Sequence, residues 1–160
     1  MKLYHGSNIE IESPDLSRSK PFKDFGQGFY LSPVHEQALA LAKQKVDQFQ
    51  SGTPCVTHFE WDKDAALTDP NLKIKIFDDY CQEWAEFILA NRDRNRQHPV
   101  HGYDIVIGPI ADDGVTFQLR RYRIGTISME KLIEELKYAR GMTIQYFFGT
   151  PYALTYLKKL

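Results

Sequence analysis

Hydrophobic positions recur along the chain with two different periods, and each period predicts its own kind of element. Residues 55–61 alternate apolar and polar side chains, which is typical of a strand with one buried face. Residues 103–108 form a continuous apolar run closed by Gly-Pro, which predicts a strand buried on both faces. Shorter apolar runs predict four more strands, at 1–5, 29–31, 72–77 and 142–148.

Apolar residues at helical spacing predict three helices and a short fourth one. The first covers 33–49, with Ser32 as its cap and Pro33 at its first helical position. The second follows Asp78 or Asp79, the third covers 129–139 and stops at Arg140-Gly141, and the short one opens at Pro151. About six strands mixed with three or four helices predict an α+β fold rather than a regular βα alternation.

Composition narrows the class of protein further. The 160 residues fit one domain over 1–160, and 20 Lys+Arg against 21 Asp+Glu give a net charge of −1. This balance argues against a nucleic-acid binder that relies on bulk charge, but it leaves room for a local basic cleft. Two isolated cysteines, no spanning apolar run and no signal-peptide core predict a cytoplasmic protein without a membrane segment.

Two short motifs carry the candidate chemistry. Residues 4–7 (YHGS) and 24–30 (DFGQGFY) each place polar or aromatic side chains beside small residues at a strand end. Glycines there let a ligand approach the backbone, and an imidazole and a phenol supply hydrogen bonds and a stacking face. The long polar loop 7–24 between them predicts a functional segment. The alternative is two ordinary strand ends with turn glycines and a half-buried tyrosine.

These motifs resemble those of a known superfamily. LYHGS at 3–7 and DFGQGFYLSP at 24–33 look like the first two motifs of the ADP-ribosyltransferases, in the branch with a His-Tyr-Glu triad. Together with YDIVIGPIADD at 103–113 and a late Gln-aromatic strand, they more closely resemble a bacterial group of small domains, DUF3990. The resemblance implies an ADP-ribosyltransferase-like split β-sheet that forms a cleft, with helices at its periphery.

The resemblance also assigns roles to residues, with NAD as the substrate. His5 would hydrogen-bond a ribose hydroxyl, Gly6 would hold the nicotinamide carboxamide through its backbone, and Tyr30 would pack on the nicotinamide ring. The other cofactor-binding candidates are small or cationic residues near the dinucleotide: Ser7, Arg18 and Gly28, with Lys20 and Lys23 beside Arg18 for the pyrophosphate. For the three cations, solvated loop charges are an equal alternative.

Gln145 occupies the position of the third catalytic residue, where the superfamily has glutamate. A carboxylate stabilises the cation that forms when the nicotinamide bond breaks, and it can accept a proton, whereas an amide does neither. We therefore expect a mono-ADP-ribosyltransferase with catalytic candidates His5, Tyr30 and Gln145, and no chain elongation. Asp24, Asp112 and Asp113 are candidate substitute acids, although the paired aspartates before Gly114 are also ordinary turn chemistry.

Three interpretations of function follow. The first is transfer of ADP-ribose to a protein or other acceptor, with the protein acting as a bacterial toxin whose partner is an antitoxin or regulatory protein. The second is an inactive NAD- or ADP-ribose-binding module, or pseudoenzyme, which the missing glutamate favours. The third is transfer of ADP-ribose to a nucleic-acid acceptor, which the basic stretches 91–96 and 120–123 suggest. The alternative for these stretches is a solvated strand or loop.

Overall fold

A computed structural model of the chain describes residues 1–139 and 141–160 and shows an α+β protein, as the sequence predicts. Within these residues the strands are β1 (Lys2–Ser7), β2 (Phe29–Leu31), β3 (Cys55–Trp61), β4 (Ile74–Ile76), β5 (Ile105–Pro109), β6 (Ile144–Phe148) and β7 (Leu157–Lys159). The helices are α1 (His35–Phe49), α2 (Lys63–Thr68), α3 (Gln82–Arg92), α4 (Asp113–Arg123), α5 (Met129–Leu136) and α6 (Pro151–Leu154). None of the described helices is long and apolar enough to cross a membrane.

The strands form two sheets that meet at one backbone bridge. The first sheet is antiparallel with the order β1-β3-β7, and the second has the order β2-β6-β5-β4, in which only β4 and β5 run parallel. Tyr4 and Ser32 exchange two backbone hydrogen bonds of 2.8 Å, which join the edge of β1 to the end of β2. The two predicted motifs therefore lie side by side where the sheets meet.

Two aromatic-rich clusters fill the core, one on each face of the second sheet. Ile105 and Ile107 of β5 point into the cluster that contains Trp61, and Val106 points into the cluster that contains Trp84. All five residues of β5 are buried, which explains why the strand is an uninterrupted apolar run. Both tryptophans are fully buried.

The predicted basic strand or loop at 120–123 is wrong, because these residues form the last turn of α4. The helix buries only Val115 and Leu119, and it carries three arginines in its last turn, so its apolar stripe is narrow. Cations at a helix C-terminus interact favourably with the helix dipole, which stabilises this turn. Helix α2 and strand β7 were also not predicted, since each is short.

The start of α1 differs from the prediction by two residues. The helix begins at His35 after Val34, and the Ser32 hydroxyl accepts a hydrogen bond from the Val34 amide before the helix starts. Ser32 also donates to the side chain of Gln37 in the first turn, so it connects the entry to the helix with that turn without being the residue that caps it. Helix α5 ends at Leu136 instead of at 139, and Arg140 of the predicted stop lies outside the described residues.

Candidate functional site

A cavity of about 440 Å³ opens between the ends of β1 and β2, one face of α1 and the loop that connects β1 to β2. We call it the β1–β2 cavity. Seven of the predicted cofactor-binding candidates line it: His5, Ser7, Arg18, Lys20, Lys23, Gly28 and Tyr30. Residues far apart in sequence thus line one cavity, and their contacts with a ligand remain predictions.

His5 is held in one tautomer at this wall. Its Nδ1 lies 2.7 Å from the backbone oxygen of Tyr30, and its ring stacks on Phe29 with the centroids 4.4 Å apart. Since a carbonyl oxygen can only accept, Nδ1 carries the proton and Nε2 keeps a free lone pair. Burial, and then the charges of Lys45 and Lys23, lower the pKa of His5 to about 4. The imidazole is therefore neutral at pH 7 and offers a hydrogen-bond acceptor.

Tyr30 supports the cavity with its ring, while its hydroxyl is already engaged. The hydroxyl donates to the Gly26 oxygen at 2.7 Å and accepts from the Phe25 amide at 3.0 Å. Burial raises the pKa of this phenol well above its usual value. The Lys23 ammonium lies 4.8 Å from the ring centroid, which is a cation–π distance. Tyr30 thus presents an aromatic surface and fixes the conformation of residues 25–26, and it is not available as a proton donor to a ligand.

The charged side chains that line the cavity are mostly cations. The described lining residues include four, Arg18, Lys20, Lys23 and Lys45, against the single carboxylate of Asp15. That carboxylate accepts hydrogen bonds from the amide and the hydroxyl of Ser17. An anion entering this cavity meets an excess of positive charge although the whole chain has a net charge of −1.

Lys45 is the lining cation that the sequence interpretation missed. Its Nζ donates to the Gly6 oxygen at 2.7 Å, and burial together with Lys23 lowers its pKa to about 8. The signal for it was present in the sequence, because Leu41, Gln44 and Lys45 share one face of the predicted helix at spacings of three and four. That face could be assigned to the cavity only once the packing of α1 was known.

The glycines of both motifs also have packing reasons. A Cβ on Gly6 would lie 1.9 Å from the Ala38 oxygen of α1, and a Cβ on Gly28 would lie 2.1 Å from the Phe147 ring. The Gly28 amide donates to the Ser19 hydroxyl at 3.2 Å. Close approach of a helix and of a ring therefore accounts for both glycines, and their contacts with a ligand remain predictions.

Gln145 does not share the cavity with His5 and Tyr30. It lies on β6, paired with Gly108 of β5, one position beyond the last β2–β6 pair, Leu31 with Tyr146. The described residues that line the β1–β2 cavity do not include it. By strand alternation its side chain shares a face with Phe147, whose ring packs on Tyr30 with the centroids 5.2 Å apart. The structure therefore brings together two of the three catalytic candidates.

The candidate substitute acids have structural partners. Asp24 is buried and pairs with Arg92 of α3, and its second oxygen accepts from the Ala111 amide at 2.8 Å. Asp112 caps α4 by accepting from the Val115 amide at 2.8 Å, and Asp113 lies in the first turn of that helix. Asp24 thus joins the loop before β2 to α3 and to the segment after β5, and none of the three acids lines the β1–β2 cavity among the residues described.

The fold and the site define an α+β protein with a cation-rich cavity where two sheets meet, lined by a neutral histidine and an aromatic ring. The chain belongs to the family described as "Protein of unknown function (DUF3990)", whose family model matches residues 1–159. No curated protein and no solved structure matches the chain significantly.

Proposed function

We propose that this protein binds NAD in the β1–β2 cavity and transfers a single ADP-ribosyl group from it, with release of nicotinamide. The observation that carries the proposal is His5, a neutral imidazole whose Nε2 can accept a hydrogen bond, in a cavity whose lining also includes four cations and one carboxylate. A ribose hydroxyl can donate to that nitrogen, and a pyrophosphate complements the cations. The ADP-ribosyltransferase-like fold is part of the same proposal, supported by the two motifs meeting at one wall.

The cavity divides into parts that suit different parts of NAD. Aromatic surface from Phe29 and Tyr30 lies near His5, where a nicotinamide riboside would bind. Arg18 and Lys20 of the loop between β1 and β2 also line the cavity, and we propose that they contact the pyrophosphate. Lys45 already donates to Gly6, so the Gly6 oxygen can serve a carboxamide only if it accepts a second hydrogen bond or if Lys45 moves away.

The charges at the site limit the chemistry that we propose. Breaking the nicotinamide bond leaves positive character on the ribose, and Gln145 offers no negative charge to stabilise it. General-base assistance typically contributes about 10²–10⁴-fold to a rate, and an amide cannot provide it. We therefore propose transfer to an acceptor that is already nucleophilic, and not elongation of a chain through a sugar hydroxyl.

A second candidate function is binding of NAD or ADP-ribose without transfer. The position of Gln145 outside the lining of the β1–β2 cavity favours it, since His5 and Tyr30 alone supply binding surface but no charge for the transition state. The two candidates make the same prediction for NAD affinity and opposite predictions for turnover.

Calorimetry with NAD, together with labelled NAD added to protein and cell lysate, tests both. We expect His5→Ala to weaken NAD binding by about 5- to 30-fold, the usual loss for one hydrogen bond to a buried group. His98→Ala is the matched control, because His98 is exposed and lies outside the β1–β2 cavity. Gln145→Glu should raise the transfer rate if the residue faces the reacting ribose in the complex.

Each outcome separates the candidates. Label transfer that is lost in His5→Ala and kept in His98→Ala supports the transferase. NAD binding without transfer to protein, nucleic acid or water supports the binding module. No NAD binding to the wild-type protein would contradict both.

A further inference from the structure

A second cavity, of about 410 Å³, lies on the other side of the segment that borders the β1–β2 cavity. We call it the Phe25 cavity, after the buried side chain at its wall. Segment 20–28 contributes to both cavities: Lys23 and Gly28 line the first, and Phe22, Phe25 and Gly26 line the second. The two cavities share no lining residue, so the Phe25 cavity is a separate site.

The walls of the Phe25 cavity suit a flat aromatic group. Phe22, His101 and Tyr103 are partly exposed and supply ring surfaces, whereas Phe25 and Phe147 are buried, and Gly102 has no side chain to fill the space beside it. A Cβ on Gly149 would lie 2.6 Å from the Phe147 ring, so this glycine packs tightly against the ring, whereas nothing lies within 4 Å of a Cβ built on Gly102. Rings on which a planar heterocycle can stack are a common means of binding unpaired bases.

One side-chain oxygen in this wall, on Asn91, has no hydrogen-bond partner among the described residues. Asn91 is 6% exposed, and its Nδ2 donates to the Phe87 oxygen at 2.8 Å. Among the described residues, no donor lies within hydrogen-bond distance of its Oδ1, which remains an open acceptor. His101 beside it is committed on both sides, since Nε2 donates to the Phe25 oxygen at 2.7 Å and Nδ1 accepts from the Tyr103 amide at 3.1 Å. A ligand that donates a hydrogen bond to Asn91 Oδ1 would therefore complement this cavity.

Two arginines lie near the mouth of the cavity. Arg96 is exposed at the rim, and the Arg94 guanidinium lies 5.7 Å from the centroid of the Phe22 ring. Phe22 has a φ of 63°, a left-handed conformation that is costly for a bulky residue and that places its ring beside the cavity. Asp93 is the carboxylate among the lining residues described, and it pairs at 4.0 Å with Arg96. An arginine that stacks on an aromatic ring beside a cavity is typical of sites that contact a phosphate and a base together.

We propose that the Phe25 cavity binds an unpaired base of a single-stranded nucleic acid, with Arg94 and Arg96 on the flanking phosphates. The base stacks on the aromatic wall and donates its exocyclic amino group to Asn91 Oδ1. A peptide carrying a phenylalanine would pack on the rings but would leave that oxygen unpaired, and it would bring no anion to Arg94. This binding requires no NAD, so the proposal of this site does not depend on the proposed function.

Fluorescence anisotropy with labelled single-stranded oligonucleotides at several salt concentrations tests the site. We expect cytosine and adenine oligonucleotides to bind about tenfold tighter than thymine ones, because the donor that thymine offers, N3–H, lies between two carbonyl oxygens that repel Asn91 Oδ1. Asn91→Leu should remove this preference. The double variant Arg94→Gln/Arg96→Gln should reduce the slope of log affinity against log salt by about 1.4, the value for two phosphates on a single strand.

Arg120→Gln/Arg123→Gln is the matched control, because it removes two exposed arginines from the end of α4. We expect this variant to bind as the wild type does. Far-UV circular dichroism of every variant checks that the fold is intact, and Phe22→Ala provides a second test that leaves the buried core alone.

Absence of oligonucleotide binding at low salt would overturn the proposal. Equal salt slopes in the wild type and in Arg94→Gln/Arg96→Gln, or an equal loss in the α4 control, would also overturn it. Tighter binding of an aromatic peptide than of any oligonucleotide would assign the cavity to protein instead. If oligonucleotides bind as expected and NAD does not, the proposed function fails and this site remains.

Discussion

His5 illustrates how surroundings can fix the protonation state of a single side chain. Its hydrogen bond to the Tyr30 oxygen fixes the tautomer, and that bond alone would raise the pKa. Burial and two lysines act in the other direction and outweigh it, so the pKa falls to about 4. In the unfolded chain the same imidazole titrates at an ordinary pKa of about 6.5. Folding therefore disfavours the protonated form of His5, and the free energy of unfolding depends on pH.

We expect His5 to destabilise the protein as the pH falls from about 6.5 to about 4. Above this window the imidazole is neutral in both states and costs nothing. Within it the unfolded chain takes up a proton that the folded chain does not, which amounts to roughly 3 kcal/mol at the lower end. Urea unfolding at pH 7.5 and pH 4.5 should show a smaller pH dependence for His5→Gln, whose amide can still donate to Tyr30.

Carboxylates titrate near the lower pH in every variant, so the comparison is between pH dependences and not between single values. His98→Gln changes an exposed histidine and should keep the pH dependence of the wild type. Identical pH dependences in the wild type and in His5→Gln would show that the burial of His5 does not set its protonation.

Direct contact between α1 and β1 shapes one side of the β1–β2 cavity at the scale of elements. Gly6 lies under Ala38 and Ala42 of the helix, and both alanines are buried. Small residues on both elements let the backbones approach, and this approach brings Lys45 within 2.7 Å of the Gly6 oxygen. The glycine of the first motif therefore positions a cation of the site through packing.

Gly6→Ala should be strongly destabilising. The added Cβ would lie 1.9 Å from the Ala38 oxygen, and a backbone atom cannot rotate away, so the helix must move. We expect a loss of roughly 3 kcal/mol or more in urea unfolding, at the high end for overpacking. Gly102→Ala is the control, because nothing lies within 4 Å of its added Cβ and it should change stability by less than about 1 kcal/mol. Equal stability of the two variants would contradict the tight packing of α1.

Elements with a strong local pattern were predictable, and those without one were not. Strand β3 alternates and β5 is apolar throughout, so both were predicted within two residues. Helix α4 buries only two residues and is rich in arginine, so its pattern resembled a solvated segment. Asp112, which caps α4, is a candidate acid in the sequence. Its role as a cap could not be predicted, because the amide that it accepts from, at Val115, belongs to a helix that the pattern does not indicate.

At the scale of the whole molecule, the second sheet joins two hydrophobic clusters. Strands β5 and β6 send alternate side chains to opposite faces, so Ile105 and Phe148 pack with Trp61 while Val106 and Phe147 pack with Trp84. Because β5 and β6 contribute side chains to both clusters, unfolding of either strand removes packing from both. We therefore expect the two clusters to unfold together.

The two tryptophans report on one cluster each, which makes this expectation measurable. Trp84→Phe leaves Trp61 as the fluorescent probe, and Trp61→Phe leaves Trp84. In each variant the fluorescence and far-UV circular dichroism transitions in urea should coincide, as two-state unfolding requires. Fluorescence of Trp84 that changes at lower urea than the circular dichroism would show that the two clusters unfold separately.

The sequence by itself determined the α+β class, the buried strand β5, the long helix α1 and the two motifs that meet at the cavity, because each depends on local periodicity or on a short run of residues. Only the tertiary structure decided the state of the site. It made His5 neutral, added Lys45 to the lining, committed Asp24 to Arg92 and left Gln145 off the cavity wall. These outcomes follow from strand register, helix packing and burial, which join residues that are distant in sequence and leave no periodic trace in it.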